Sequence, residues 1–187
     1  MLNMRQLLKR HPDSVCLAVA HVEVNATRLR GGSLALSYIV TGKLDDISIP
    51  PVAATARKDE LSRHTCFEAF VRAPSGNEYF EFNFSPSTHW AAYQFSGYRG
   101  RMCLATEISV PLIEVSSHPD RFTLTASLEL DRLRGLQAPA SWRLGLSAVI
   151  ENRNGRKSYW ALEHPPGKPD FHHAECFSGE LSSTVRT

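Results

Sequence analysis

The sequence contains no closely spaced pair of cysteines and no long apolar run. Cys16, Cys66, Cys103 and Cys176 lie far apart, without the Cys-x-x-Cys spacing of zinc sites. Such cysteines are typical of buried thiols in a reducing compartment rather than of a disulfide framework. No stretch approaches the roughly 20 apolar residues of a membrane span, and the first residues lack the apolar core of a signal peptide. We therefore expect a cytoplasmic protein that does not engage a membrane.

Clustered basic charge is also absent. The net charge is +2 and the 21 lysines and arginines are scattered along the chain, whereas nucleic-acid-binding domains carry a basic stripe or patch. Nucleic acid is therefore not an expected partner. The 187 residues, 42% of them apolar, are typical of one globular domain. We predict an N-terminal arm at residues 1–14 and a single domain at residues 15–187.

Helical periodicity is almost missing, and alternation with period two takes its place. Residues 15–27, 34–42, 103–110, 122–130 and 142–151 read as strands, because successive strand side chains point to opposite faces. Residues 110–121 read as a connection containing prolines and serines. Asp131 is a suitable N-cap for one short helix. The pattern predicts an all-β protein, a β-sandwich of the jelly-roll or immunoglobulin-like kind with about 8–11 antiparallel strands and at most a short helix.

The block from Asp59 to Arg99 organises this fold. Its segments HTCFEAFV and EYFEFNFS both alternate, and the intervening APSG predicts a hairpin turn. Pairing of the apolar faces would set Phe67 opposite Phe82 and Glu68 opposite Glu81, unless a bulge at Gly76 shifts the register by one residue. The apolar side of this hairpin is predicted to hold two sheets together.

The other face of the hairpin is unusual for a solvent-facing sheet surface. It gathers polar side chains suited to a ligand rather than the usual lysines and threonines: His64, Glu68, Glu81 and Asn83, with Trp90 shortly after. Carboxylates and amides accept and donate the directed hydrogen bonds that hydroxyl groups require. Two facing glutamates also allow a glycoside hydrolase that uses Glu68 and Glu81 as acid and base, so catalysis stays open as an alternative.

The C-terminal part adds further candidates. Trp160 lies beside the NRNGRK turn and a proline-rich loop, where an indole could stack on the apolar face of a sugar. The loop itself, HPPGKPDFHH, has no periodicity and is predicted to be functional or lid-like. Lys168 in this loop suits an anionic ligand group. His164, Asp170 and one of His172 and His173 form a possible but unfavoured metal set, so no metal is expected.

Four segments resemble the DOMON-like ligand-binding proteins: DELSRHTCFEAF, EFNFSPSTHWAAYQFSGYR, RLGLSAVIE and SYWALEHPPGKPDFHH. Their order is distantly similar to that of family nine carbohydrate-binding modules. The resemblance implies a domain in which two tryptophans enclose a sugar that acids and amides hydrogen-bond. It implies that Glu68 binds sugar hydroxyls, that Asn152 is a ligand-binding amide and that Trp160 is one of the tryptophans. Ser62 stands where the other tryptophan is expected.

Some proteins of the wider DOMON group bind haem through an axial methionine with histidine or lysine. The resemblance therefore implies a second possibility, haem held by Met102 and His64, although no cofactor is expected. We expect a non-catalytic domain that binds a small ligand, most simply a saccharide or polyol. The alternatives are a haem-binding domain, a glycoside hydrolase-like enzyme and a protein-interaction module.

Overall fold

The structure, a computed structural model, describes residues 2–137 and 141–182. Its strands are β1 (Leu2–Arg10), β2 (Val19–Arg28), β3 (Ser33–Gly42), β4 (Cys66–Arg72), β5 (Tyr79–Phe84), β6 (Trp90–Phe95), β7 (Met102–Leu104), β8 (Leu112–His118), β9 (Arg121–Glu129), β10 (Trp142–Glu151), β11 (Lys157–Ala161) and β12 (Gly179–Leu181). Every pair of neighbouring strands is antiparallel. The prediction of an all-β, antiparallel protein is therefore confirmed.

Helical structure in the described part of the chain is limited to three short 3₁₀ turns, Leu44–Asp46, Leu61–Arg63 and Ala174–Cys176. The helix expected after Asp131 is replaced by consecutive turns, in which the amide of Leu133 bonds to the carbonyl of Leu130. Residues 138–140 of that region lie outside the described residues. Among the residues described, no helix has the length and apolar character needed to cross a membrane.

The strands form one continuous sheet in the order β7-β6-β5-β4-β10-β11-β1-β2-β3-β9-β8, with β12 paired to β10. We call β7, β6, β5, β4, β10 and β11 the front half of the sheet, and β2, β3, β9 and β8 the back half. Strand β1 joins them. Residues from Leu2 to Leu8 pair with β2, whereas Lys9 and Arg10 pair with β11.

The sequence interpretation of residues 1–14 as an arm is therefore corrected. From Leu2 to Arg10 the chain is a strand in the middle of the sheet. Among residues 3–10 of this strand only Leu8 is fully buried, with Met4 packed partly against the core. Polar and charged residues occupy most other positions, so the alternation that identifies a strand is weak.

The hydrophobic core lies between the two halves. The apolar side chains of β2, β3 and β9 face those of β4, β5 and β10 in one cluster. The ring of Phe67 lies 5.1 Å from that of Tyr38 and 6.1 Å from that of Phe122. The hydroxyl of Tyr38 donates a 2.6 Å hydrogen bond to the carbonyl of Glu68 across the same interface. Burial of these aromatic rings supplies much of the stabilisation of the fold.

The register of the β4–β5 hairpin differs from the predicted one. Phe67 pairs with Phe84, and Glu68 pairs with Asn83 rather than with Glu81. The pairing is displaced by two residues, so each side chain keeps its expected face. The connection between the strands spans residues 73–78, with Gly76 at φ +99°. A connection of this length, longer than the predicted tight turn, sets the register.

Two other strand boundaries were wrong. Residues 112–118, predicted as a connection, form the edge strand β8, whereas the strand predicted over 103–110 is reduced to Met102–Leu104. In β8 only Ile113 is fully buried, and Pro111 and Pro119 flank the strand. Prolines beside an edge strand are compatible with its pairing on one side only, which is why they misled the sequence interpretation.

Candidate functional site

The front half has a second face, which points away from the core and is only partly covered. The 3₁₀ turn Leu61–Arg63 and the C-terminal loop at residues 164–178 lie over it. The aromatic side chains that pack there form a separate cluster: Phe70, Tyr79, Tyr93, Phe95, Phe171 and Phe177. Where this cover is incomplete, the face opens into a cleft of about 650 Å³.

The cleft combines acids, an amide, a guanidinium group, aromatic rings and apolar side chains. Its lining residues are Asp59, Glu60, Leu61, Ser62, Glu81, Asn83, Tyr93, Phe95, Arg99, Met102, Leu104 and His172. The floor comes from β5 and β6, because alternation places Glu81 and Asn83, and likewise Tyr93 and Phe95, on the outer face. Small-molecule sites have this composition, in which aromatic surface is combined with a few directed polar groups.

Glu81 and Asn83 form the polar centre of the floor. The amide nitrogen of Asn83 donates a 2.7 Å hydrogen bond to Oε1 of Glu81. Burial raises the pKa of Glu81, and the Asn83 hydrogen bond and the charge of Arg99 only partly oppose this. The second oxygen of Glu81 lies 3.7 Å from Nε2 of His172. That oxygen is placed to accept a hydrogen bond from a ligand hydroxyl.

Glu68 lies on the same outer face, beside the floor, but does not line the cleft. Its side chain is only 4% exposed, and it lies beside Asn83 on one strand and Ser147 on the other. The hydroxyl of Ser147 donates to Oε2 of Glu68 at 3.3 Å. Burial, followed by the charge of Glu81, raises the pKa of Glu68 to about 8. Glu68 is therefore mostly protonated at neutral pH, which avoids two adjacent buried negative charges.

Arg99 enters the cleft from the turn between β6 and β7. Its Nη2 donates to Oδ1 of Asp170 at 2.9 Å, and the hydroxyl of Tyr98 donates to Oδ2 of the same carboxylate at 2.5 Å. Burial raises the pKa of Asp170, but these hydrogen bonds outweigh burial and hold it below its ordinary value. Asp170 thus fastens the C-terminal loop to the turn that carries Arg99.

His172 closes another side of the cleft. The Tyr79 hydroxyl and Nδ1 of His172 are 2.8 Å apart. Burial lowers the pKa of His172 to about 4, with a further contribution from the charge of Arg99. The imidazole is therefore neutral at neutral pH, and its 3.7 Å approach to Glu81 is not an ion pair under those conditions. His172 acts as a polar, uncharged lining residue.

The structure brings together only part of the predicted set. Glu81, Asn83 and Ser62 line the cleft, and Glu68 lies next to it, beside Asn83 on the neighbouring strand. His64 is exposed and lines an adjoining cleft of about 530 Å³, where its Nδ1 is 2.8 Å from Oε2 of Glu151. The segment 59–61 lines both clefts.

The two tryptophans proposed to contact the ligand occupy the core instead. Trp160 is 5% exposed, and its indole nitrogen donates to the hydroxyl of Ser158 at 2.9 Å. Trp90 packs in the same cluster beneath the guanidinium of Arg57, which is 4.4 Å from the ring centre. Both side chains point to the inner face of the front half, so neither indole face is open to the cleft.

Asn152 and Lys168 also lie away from the cleft. Asn152 follows β10 and lines a separate depression with Arg153, Asn154 and Arg156. Lys168 is exposed in the C-terminal loop and is not among the residues that line the cleft. Asn152 thus follows the C-terminal end of β10, whereas β12 pairs with the N-terminal end of that strand.

The residues of the alternative metal and haem sites have other contacts. The Nε2 atom of His164 is 2.8 Å from the carbonyl oxygen of Lys9, and Asp170 and His172 make the contacts described above. The residues that the structure describes contain no group of three or more metal-ligating side chains positioned for an ion. Met102 lines the cleft, whereas His64 lines the adjoining one, so the two proposed haem ligands do not share a cavity.

Several lining residues escaped the sequence interpretation, Tyr93, Phe95 and Arg99 above all. The alternation in WAAYQF places Tyr93 and Phe95 on one face, and extending the β5 pattern into this segment would have found them. The hydroxyl of Tyr93 donates to Oδ1 of Asp59 at 2.6 Å. Burial and this hydrogen bond raise the pKa of Tyr93, so the phenol remains a neutral donor.

A second cleft of similar size, about 690 Å³, lies elsewhere on the molecule. Its lining is Leu44, Asp45, Ile47, Ser48, Ile49, Ser117, His118, Pro119 and Arg153. It contains no phenyl, phenol or indole ring and no deeply buried carboxyl group. The cleft on the outer face of the front half therefore has the stronger chemical case as a ligand site.

Comparison with known proteins supports the fold. No family model matches the sequence, and no curated protein matches it. A "putative carbohydrate-binding protein" from Bacteroides uniformis ATCC 8492 is similar in structure, with a TM-score of 0.64 and 14% identity over 96% of this chain and 85% of that one. A family nine carbohydrate-binding module from Caldicellulosiruptor kristjanssonii, solved in complex with cellotriose, has a TM-score of 0.52 and 10% identity, covering 94% and 80% of the two chains. The chain thus has a fold distantly like that of carbohydrate-binding modules.

Proposed function

We propose that the protein binds a saccharide or related polyol in the cleft formed by β5, β6, β7 and the Leu61–Arg63 turn, and does not turn it over. The observation that carries this proposal is the meeting of Glu81, Asn83 and Arg99 with the rings of Tyr93 and Phe95 in one cavity. Carboxylate, amide and guanidinium groups hydrogen-bond hydroxyls, while the aromatic rings accept the apolar face of a sugar. The fold and the cellotriose complex of a structural neighbour support the same ligand class.

The finer assignment to the DOMON-like proteins and the β-sandwich form that it implies belong to this proposal. The four sequence segments that carry the resemblance support it, as does the packing of the two halves across one core. A cytoplasmic location is proposed likewise, supported by the four free cysteines, of which Cys16, Cys66 and Cys176 are buried.

Isothermal titration calorimetry with a panel of mono- and disaccharides tests the binding proposal. Tryptophan fluorescence is a poor reporter, because Trp90 and Trp160 are in the core. We expect at least one sugar to bind, and we expect Glu81→Gln and Arg99→Ala each to weaken it about tenfold, as for loss of a charged hydrogen bond. Glu114→Gln and Arg121→Ala, both exposed and in the back half of the sheet, are the matched controls. Absence of binding to every sugar at millimolar concentration would overturn the proposal.

Hydrolysis of a glycoside is the second candidate, because a protonated Glu68 close to Glu81 resembles an acid–base pair. Its weakness is that Glu68 is buried beside Asn83 and does not line the cleft. Binding without hydrolysis is therefore favoured. Release of nitrophenol from aryl glycosides, abolished by Glu81→Gln, would establish the enzyme instead.

A haem-binding domain would show a Soret absorption band after reconstitution that Met102→Ala removes.

A further inference from the structure

The cleft has two walls of opposite character. Glu81, Asn83 and Arg99 form the polar wall. Leu61, Met102 and Leu104 form the apolar wall, and Met102 and Leu104 are 57% and 51% exposed. A ligand whose functional groups are all hydroxyls would contact the polar wall and leave the apolar wall exposed to water.

The apolar wall is an ordered strip rather than a chance exposure. Strand β7 pairs with β6 so that Leu104 lies opposite Tyr93 and Met102 lies opposite Phe95. Directly paired residues share a sheet face, so the two exposed side chains extend the aromatic floor outward to the sheet edge. Single exposed apolar residues are ordinary, but adjacent ones that border a polar cavity indicate a binding surface. Methionine in particular adapts its shape to varied apolar groups.

We propose that the ligand is a glycoside with an apolar aglycone, such as an alkyl or aryl group. The sugar hydroxyls contact Glu81, Asn83 and Arg99, and the apolar face of the sugar lies on Tyr93 and Phe95. The aglycone continues outward along Leu104 and Met102. This inference rests on the proposed function and specifies its ligand class. A small amphiphile fits better than a protein partner, because both kinds of surface line one 650 Å³ cavity, a volume typical of small-molecule sites.

Calorimetric titration with methyl and hexyl glycosides of the same sugar, below micelle-forming concentrations, tests the inference. Glucosides, galactosides and mannosides are the probes. Burial of one methylene group strengthens binding about fourfold, so partial burial of the hexyl chain should give the hexyl glycoside an affinity at least about tenfold higher. We expect Met102→Ser and Leu104→Ser to remove most of that difference, so that each variant binds the methyl and hexyl glycosides with nearly equal affinity. Leu112→Ser and Val110→Ser, also exposed apolar positions but in or beside β8, are controls that should preserve it.

The outcomes separate the two proposals. Equal affinities for methyl and hexyl glycosides, or a hexyl advantage that survives both β7 substitutions, would overturn the aglycone site and leave saccharide binding standing. A concentration-dependent dimer that Met102→Ser dissociates would also overturn it, by assigning the strip to a second copy of the chain. Hexyl glycoside binding that Glu81→Gln leaves intact and hexanol reproduces would instead overturn the saccharide function itself.

Discussion

Oδ1 of Asp170 accepts a 2.9 Å hydrogen bond from Nη2 of Arg99, although the two residues are 71 positions apart. Asp170 also accepts from the Tyr98 hydroxyl and from the backbone amide of His172. One carboxylate therefore holds both the turn after β6 and the start of the segment that contributes His172 to the cleft. Arg99 itself has φ 47°, a left-handed conformation that is uncommon for arginine, so outside contacts help to maintain its position.

Asp170→Asn should weaken ligand binding without contacting the ligand. The substitution keeps the size of the side chain and removes the charge that orients Arg99, so we expect about three- to tenfold lower affinity, in line with a partly exposed charged hydrogen bond. Calorimetry measures the loss, and Asp120→Asn is the control. If Asp170 acts through Arg99, its cost should disappear in the Arg99→Ala background. If Asp170→Asn lowers the affinity just as much in the Arg99→Ala background, Asp170 affects binding through a residue other than Arg99.

Glu68 should make the protein less stable as pH rises. Its pKa is about 8 in the folded protein and ordinarily 4.5, so between these values the folded state holds a proton that the unfolded state releases. The contribution of Glu68 to stability therefore falls from about pH 4.5 to about pH 8, by up to about 5 kcal/mol, and is level above that range. Glu68→Gln should remove most of the slope and be more stable than the natural protein at high pH.

Urea unfolding at about pH 5 and about pH 8.5 measures this difference in the free energy of unfolding. Other groups contribute in both proteins: the raised pKa of Glu81 lowers stability as pH rises, whereas the lowered pKa values of His164 and His172 raise it. Glu114→Gln should retain the full slope of the natural sequence. The measure of Glu68 is therefore the difference between the natural protein and Glu68→Gln, and an equal change in the free energy of unfolding in the two proteins would contradict the buried, protonated state of Glu68.

Ser62→Trp should increase sugar affinity. Ser62 is exposed and lines the cleft, at the position where the DOMON-like resemblance implies a tryptophan. An indole there would supply a stacking surface opposite the polar wall, and we expect about three- to tenfold tighter binding, as for an added aromatic contact. Ser75→Trp, in the β4–β5 connection, controls for a nonspecific effect of tryptophan. Unchanged affinity in Ser62→Trp would mean that the segment 59–63 does not approach the bound sugar.

Trp160→Phe should reduce stability and leave binding intact. Trp160 fills the core and donates to Ser158, so the smaller ring should leave a gap that costs about 1–3 kcal/mol. Chemical denaturation gives the stability, and calorimetry on the folded variant gives the affinity. Lost affinity with unchanged stability would restore Trp160 as a contact of the ligand.

The residues on the outer face of the front half were predictable because an error in the pairing of two strands does not change which side chains alternate to the same face. Glu81 and Asn83 were assigned to this face, and the displacement of the β4–β5 pairing by two residues does not change it. The cross-strand partner was not predictable, because Glu68 pairs with Asn83 only as a result of the length of the 73–78 connection. Local sequence does not report how far a turn of that length displaces the strands.

The covering elements were the less predictable part of the site. Phe171 and Phe177 pack on the outer face through a loop without periodicity, and Arg99 reaches the cleft from a turn. Tryptophan identity was misleading for a related reason: Trp90 and Trp160 occupy inward positions of alternating strands, and a large aromatic side chain is suited equally to a core and to a sugar. Position along the strand, rather than residue type, decides between the two.

The central place of β1 has a consequence for the order of folding. Lys9 pairs with Ala161, so the link between the two halves joins residues that leave the ribosome far apart in time. Loop closure over such a separation is slow, and folds dominated by distant pairings form slowly. Before β11 is synthesised, β1 can pair with β2, but the core between the two halves of the sheet cannot yet be enclosed. We therefore expect closure of the sheet around β1 to be a late step of folding.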